Sequence, residues 1–216
     1  MGKAALLLAF LAVMCLSCTK DAYEKGTGDY SNMRADMVEM HADANKQIDY
    51  VDTDEGDRLT LTSTFGAKWI TTADSVYRAY IYYNRVGQQA DLISVGTVLV
   101  LRPHREDEPL TDPIDVESMW VSSNRRYLNA ALLFKLGKAD EGLHQTVGVI
   151  PDTLMVNADN TSTLHLTLYH DQGGVPQFYT QRAYASIPLV DIPADSVRLR
   201  VNTYGGWYDR TFSIKP

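Results

Sequence analysis

The segment Leu164-His165-Leu166-Thr167-Leu168 alternates apolar and polar residues, putting its leucines on one face with a period of two. That period belongs to a half-buried β-strand. Val197-Arg198-Leu199-Arg200-Val201 repeats the pattern with arginines on the polar face. After residue 17 no long segment of period 3.6 appears, so the chain is confined to an all-β fold whose helices are few and short.

Five strand-like runs lie near 33–41, 46–51, 58–63, 76–86 and 91–101, the last almost continuously apolar and expected to lie centrally. Seven more lie near 115–122, 127–136, 144–150, 162–169, 178–187, 196–203 and 207–214. Turn chemistry separates them: Asp52-Thr53-Asp54-Glu55-Gly56-Asp57, Asp171-Gln172-Gly173-Gly174 and Tyr204-Gly205-Gly206-Trp207. Between the two groups, residues 102–113 hold three of the eight prolines and four acidic residues. Prolines and charge in this density predict a linker. The division is therefore a small barrel over 30–103, a linker over 104–113 and a β-sandwich over 114–216.

The first residues have another character. One positive charge, Lys3, precedes an apolar run of 13 residues from Ala4 to Leu16. A membrane-spanning helix needs about 20 apolar residues, so the run matches the core of an export signal over residues 1–17. Leu16-Ser17-Cys18 matches the end of a bacterial lipoprotein signal, with cleavage between Ser17 and Cys18 and a lipid on the Cys18 thiol. Cys15 stands where leucine is usual, and bulky Met14 excludes Cys15 itself as the anchor. Several acyl chains, each buried methylene contributing about 0.8 kcal/mol, hold a soluble domain to a bilayer. Residues 18–29 are polar with two glycines and read as a flexible tether. Asp21, a weak form of the acidic export cue of related bacteria, points to the outer membrane and leaves the leaflet open.

Removing residues 1–17 takes the net charge from −7 to −8. An acidic surface without a basic patch disfavours nucleic acid as a partner. Both cysteines, Cys15 and Cys18, lie in the signal region. The remaining fold then has no disulfide, thiolate nucleophile or cysteine metal site.

The cysteine signal is joined by Asp112-Pro113-Ile114-Asp115-Val116-Glu117-Ser118-Met119-Trp120, by Leu164-His165-Leu166-Thr167-Leu168-Tyr169-His170-Asp171 and by Arg182-Ala183-Tyr184-Ala185-Ser186-Ile187. In these segments the chain resembles the NigD-like lipoproteins of gut and oral Gram-negative anaerobes. The resemblance implies an OB-like N-terminal barrel of five strands and an immunoglobulin-like C-terminal sandwich of seven. It brings a family name taken from a bacteriocin-associated locus, with no defined reaction and no functional residues to carry over.

Catalytic and cofactor motifs are missing from the sequence. No Gly-x-Ser-x-Gly elbow or phosphate-cradling glycine loop occurs. The acidic segment 52–57 departs from a calcium loop at Gly56 and at Ser63, its twelfth position, and reads as a hairpin turn. His165 and His170 stand an odd number of residues apart, so a regular strand sends them to opposite faces, and His170 is expected as a packed residue beside a turn. His41, His104 and His144 are scattered, and neither metal nor cofactor is expected. Tyr80 and Tyr82 share one strand face, Tyr77 and Tyr83 the other. With Trp69, Trp120 and Trp207 they are expected to fill cores, with sugar stacking the alternative. Three functions follow in order. The first is a non-enzymatic envelope lipoprotein that binds a protein, peptide or glycan partner and meets the membrane through Cys18. Self-protection against a secreted toxin comes second, and a carbohydrate-active enzyme last.

Overall fold

The computed structural model describes residues 33–105 and 108–215. Ser17, Cys18, the signal 1–17 and the tether 18–29 lie outside the described residues. Thirteen strands make up the fold, and no helix occurs among the described residues.

The first five strands are β1 (Met33–Ala42), β2 (Ile48–Thr53), β3 (Arg58–Phe65), β4 (Val76–Val86) and β5 (Gln89–Thr97). They close into a barrel in the order β1-β2-β3-β5-β4, with β3 and β5 parallel. Closure removes exposed sheet edges and sets β5 between β3 and β4, although most residues of β5 are exposed and not central as expected. Alternation fills the interior: Val38 and Met40 from β1, Leu59 from β3, and Ile81 and Tyr83 from β4 are fully buried. Tyr83 is tolerated there because its hydroxyl donates to Asp36 Oδ2 across 2.7 Å.

The second group is β6 (Leu99–Val100), β7 (Asp115–Val121), β8 (Tyr127–Leu136), β9 (Thr146–Val156), β10 (Ser162–Asp171), β11 (Tyr179–Pro188), β12 (Ser196–Thr203) and β13 (Gly206–Ser213). Two four-stranded sheets, β13-β12-β10-β9 and β6-β11-β8-β7, enclose one core. Leu166 and Leu168 from β10, Leu199 from β12, and Leu128 and Leu132 from β8 meet in it. All seven strands expected after residue 114 are present, and β6 is an eighth.

Strand β6 corrects the expected division at residue 103. The apolar run 91–101 is not one strand: it leaves the barrel after Thr97, and Leu99 and Val100 pair in parallel with Ala185 and Ser186 of β11. Residues 102–113 do not connect two domains either. Leu101 N–H donates to Ser186 C=O, His104 N–H to Val149 C=O, Asp112 N–H to His170 C=O and Ile114 N–H to Asn202 C=O. The described residues 101–105 and 108–114 thus belong to the sandwich, bonded in turn to β11, β9, β10 and β12.

Candidate functional site

Three regions of this fold gather polar or aromatic side chains. The first joins the barrel to the outer face of sheet β6-β11-β8-β7, within the compact unit Arg34–Pro216. Arg78 projects from β4, with 2% of its side chain exposed. Its Nη2 donates to Asp54 Oδ2 (2.6 Å) and to Asn129 Oδ1 (3.1 Å), and its Nε donates to Ser186 Oγ (3.1 Å). The guanidinium lies 4.0 Å over the Tyr127 ring. Beside it, buried Glu39 accepts from Arg126 Nη1 and from the Tyr127 hydroxyl, each at 2.5 Å. Burial, then the bond to Glu39, pushes the Tyr127 phenol up to about 12.

Arginines engage three carboxylates of the acidic hairpin 52–57, one of them at this junction. Asp52 receives a bidentate pair from Arg58, which holds its carboxyl below the usual range. Asp54 receives Arg78, and Asp57 receives Arg85 at 2.6 Å. Three arginines stand where a calcium loop would need free oxygens. The fold also brings together Glu39, His41 and Asp52, whose ligand atoms lie within 4.8 Å of one another. Such a triad can hold a cation in principle. Here both Glu39 oxygens and both Asp52 oxygens already face arginine or tyrosine donors, and His41 stacks on Tyr50 with centroids 4.6 Å apart. Sequence spacing missed this triad because β1 and β2 pair across a turn, setting Glu39 opposite Asp52.

The tyrosine row divides. Tyr83 and, less fully, Tyr77 face the barrel core, with Tyr77 edge-on to Trp69 at 5.6 Å. Tyr80 faces outward and stacks on Tyr184 of the sandwich at 4.5 Å, while Tyr82 meets Tyr80 edge-on. Burial, with its tyrosine neighbours, raises the Tyr80 pKa above the ordinary phenol range. Outward Tyr80 of β4 therefore joins the two modules. Trp120 is half-buried on β7.

A second region is the outer face of sheet β13-β12-β10-β9, a shallow cleft of about 370 Å³. Arg200 lies 4.2 Å over Trp207, Arg198 pairs with Asp209, and Thr167 donates to Asp152 (2.6 Å). His165 opens onto this face, whereas His170 is 1% exposed on the opposite side and faces Phe134. Burial lowers the His170 pKa. Arg198, Asp209 and Asp152 are paired, Arg200 is committed to the face of Trp207, and the cleft is open to solvent along the sheet.

The third region is the far end of the sandwich. Phe178 is 80% exposed although its N–H is fixed to Leu136 C=O at the end of β8. Next to it in sequence, Tyr179 is 55% exposed. The Tyr204 hydroxyl donates to Gln177 Oε1 (2.9 Å), and its N–H donates to Asp115 Oδ1 at the start of β7. Exposed Leu143 lies beside Gly174, and exposed Leu110 accepts from His170 N–H at the end of β10. Turns between β8 and β9, β10 and β11, and β12 and β13 thus converge on an apolar tip. β8 begins at Tyr127, bonded to the barrel, and its ten residues end at this tip, about 30 Å away. The sequence marks these loops as turns, but a turn signal does not distinguish a solvated aromatic from a packed one.

A model of the NigD-like C-terminal β-sandwich domain matches residues 97–214, more than half of the chain. This chain belongs to the NigD-like family. The NigD-like domain begins at residue 97, where the chain leaves the barrel for β6. Among solved structures, a NigD-like immunity protein from Bacteroides caccae matches with a TM-score of 0.63 and 22% identity, over 83% of this chain and 97% of that one. A candidate toxin-related protein from Parabacteroides distasonis matches with a TM-score of 0.63 and 15% identity, over 85% and 93% of the two chains. A candidate lipoprotein from Bacteroides fragilis matches with a TM-score of 0.55 and 12% identity, over 83% and 96%. At these identities the likeness shows a shared NigD-like fold. No curated protein matches the chain.

Proposed function

We propose that this NigD-like chain is a non-enzymatic lipoprotein of the cell envelope that captures a protein partner with the apolar tip of its sandwich. The observation that carries this reading is Phe178, held 80% exposed on a bonded backbone, with exposed Leu110, Leu143, Tyr179 and Tyr204 in the segments at the same end of the sandwich. Soluble domains rarely leave such a patch without a use. Loops at one end of a sandwich are where immunoglobulin-like modules bind, and rigid aromatics make contact area at low entropic cost. Phenylalanine and leucines without polar partners suit a protein surface better than a sugar ring, which needs hydrogen bonds around the stacking face. The anchoring half of the reading rests on Leu16-Ser17-Cys18 and is supported by the fold shared with a candidate lipoprotein. The outer membrane is the proposed location.

Crosslinking on intact cells with a photoreactive residue in place of Phe178 tests the tip. A discrete partner band is expected, lost when Tyr179 and Leu143 are also changed to Ser. An unchanged adduct pattern from a probe at exposed Val86 of the barrel counts against the reading. Cys18→Ala is expected to abolish lipid labelling and release the chain from membranes, and continued labelling overturns the anchor.

Self-protection against a secreted toxin is a second reading. It is supported by the fold shared with a protein named as a NigD-like immunity protein. Loss of toxin resistance on deletion of the gene, restored by the intact chain and not by the Phe178→Ser variant, is the expected result.

A further inference from the structure

A cleft of about 280 Å³ opens between β4 of the barrel and β6 of the sandwich, far from the apolar tip. Arg78, Arg102 and Arg126 line it. A guanidinium carries five N–H donors, and the acceptors nearby do not use them up. Arg78 spends Nε and Nη2 on Ser186, Asn129 and Asp54, while its buried Nη1 has no partner. Arg126 spends Nη1 on Glu39. Arg102 is exposed, and its side chain has no carboxylate partner among the described residues. The Glu39 carboxylate, also in the lining, is closed to further donors because Arg126 and Tyr127 hold its two oxygens.

Donor excess is thus concentrated in one place, in a chain of net charge −7. Charge is balanced, however: Asp54 and Glu39 pair with Arg78 and Arg126, and Asp191 shares the lining with Arg102, so recognition there rests on unspent N–H donors and not on net charge. That balance disfavours a dianion, while the free donors of Arg102 and Arg126 can still hold the two oxygens of one carboxylate. The rest of the wall is apolar and wet. Val76, Val100 and Val190 are 54%, 41% and 74% exposed, although each lines the cleft. A ligand covering these valines removes apolar surface from water while its charged end meets the arginines.

We infer that this cleft binds a monocarboxylate bearing an apolar chain, the carboxylate between Arg102 and Arg126 near Arg78 and the chain against Val76, Val100 and Val190. Two sources carry that chemistry: a fatty acyl chain with a free acid, and a polypeptide C-terminus ending in aliphatic residues. Both offer two oxygens for guanidinium donors, and both lose the interaction when the acid is capped.

Backbone and arginine side-chain NMR shifts of the full-length protein, titrated at constant ionic strength, test the inference. The probes are hexanoate, hexanol, N-acetyl-Leu-Val with a free carboxylate, the same peptide as its amide, and inorganic phosphate. Saturable shifts at Val100, Arg102, Arg126 and the Arg78 Nε–H are expected with hexanoate, the free-acid peptide or both. Preference between those two identifies the source. Arg102→Gln, a change at an exposed side chain that leaves the remaining spectrum in place, is expected to weaken binding by about tenfold, the loss of one charge-assisted hydrogen bond. Hexanol or the amide shifting the same residues as strongly overturns the inference. So does phosphate binding at least as tightly as the acids, an unchanged affinity in Arg102→Gln, or no saturable shift with either acid.

Discussion

The Arg78 guanidinium donates to Asp54 Oδ2 across 2.6 Å, with 2% and 13% of the two side chains exposed. One residue comes from barrel strand β4 and the other from the β2–β3 hairpin. Asn129 of the sandwich also donates to Asp54 Oδ2, and Ser186 accepts from Arg78 Nε, while Arg78 Nη1 and Asp54 Oδ1 stay unpartnered. Removing one member of a buried pair leaves an uncompensated charge, which costs about 3–5 kcal/mol. Arg78→Ala is expected to lower unfolding stability in urea by that amount. Asp54→Asn in the Arg78→Ala background is expected to recover part of the loss, because the stranded carboxylate is then neutral. Strictly additive losses in that double mutant would show that the two side chains are not coupled.

The neighbouring Tyr127 sets an alkaline limit. Burial and the bond to Glu39 raise its folded pKa to about 12, against about 10 in an unfolded chain. The folded protein therefore holds this proton more tightly. The stabilisation is fully present below pH ~10 and is lost as the pH rises towards about 12. Tyr127→Phe is expected to flatten stability across that window, and tyrosinate absorbance to lose one late-titrating group. An early, ordinary titration of Tyr127 would contradict the buried geometry.

The legible part of this fold is local. Alternation in 162–169 and 196–203 marks strands because side-chain direction is written in a period of two, and β4 is found at its full extent because its run of aromatics suits a pleated, half-buried surface. The strand switch at Val98 is not legible. The run 91–101 stays apolar while its pairing changes from β4 to β11, and an apolar run does not name its partner. The junction is hidden for a related reason. Arg78 and Ser186 are 108 residues apart, and nothing in either segment points to the other. Opposite-face placement of His165 and His170 is legible from parity, yet the exposure of Phe178 depends on which loops converge around it.

That exposure has a consequence for stability. Phe178 gives up little water-accessible surface on folding, so Phe178→Ser together with Tyr179→Ser is expected to leave the denaturation midpoint within about 0.5 kcal/mol of the parent. The same pair is expected to lower binding of an apolar dye and to reduce self-association, since the largest exposed aromatic is gone. A loss of several kcal/mol would mean that the tip is packed, and would remove the basis for a docking surface there.

Two turn glycines separate backbone strain from close packing. Gly56 (φ +95°) and Gly173 (φ +57°) both lie in the left-handed region that side chains avoid. Around Gly56 nothing lies within 4 Å of an added Cβ, so Gly56→Ala is expected to cost only the backbone penalty, about 1–2 kcal/mol. At Gly173 the new carbon would lie 2.0 Å from the His144 carbonyl oxygen. That oxygen is backbone and cannot rotate away, so Gly173→Ala adds an overpacking cost of about 1–3 kcal/mol. It also displaces the Gly173 N–H, which donates to Asp171 Oδ1 across 2.7 Å and closes the turn before Phe178. Urea midpoints of the two variants are therefore expected to differ clearly, with Gly173→Ala the less stable. Equal midpoints would mean that the β8–β9 loop yields to the β10–β11 turn, and the apolar tip would then lose the rigid contact that holds its loops together.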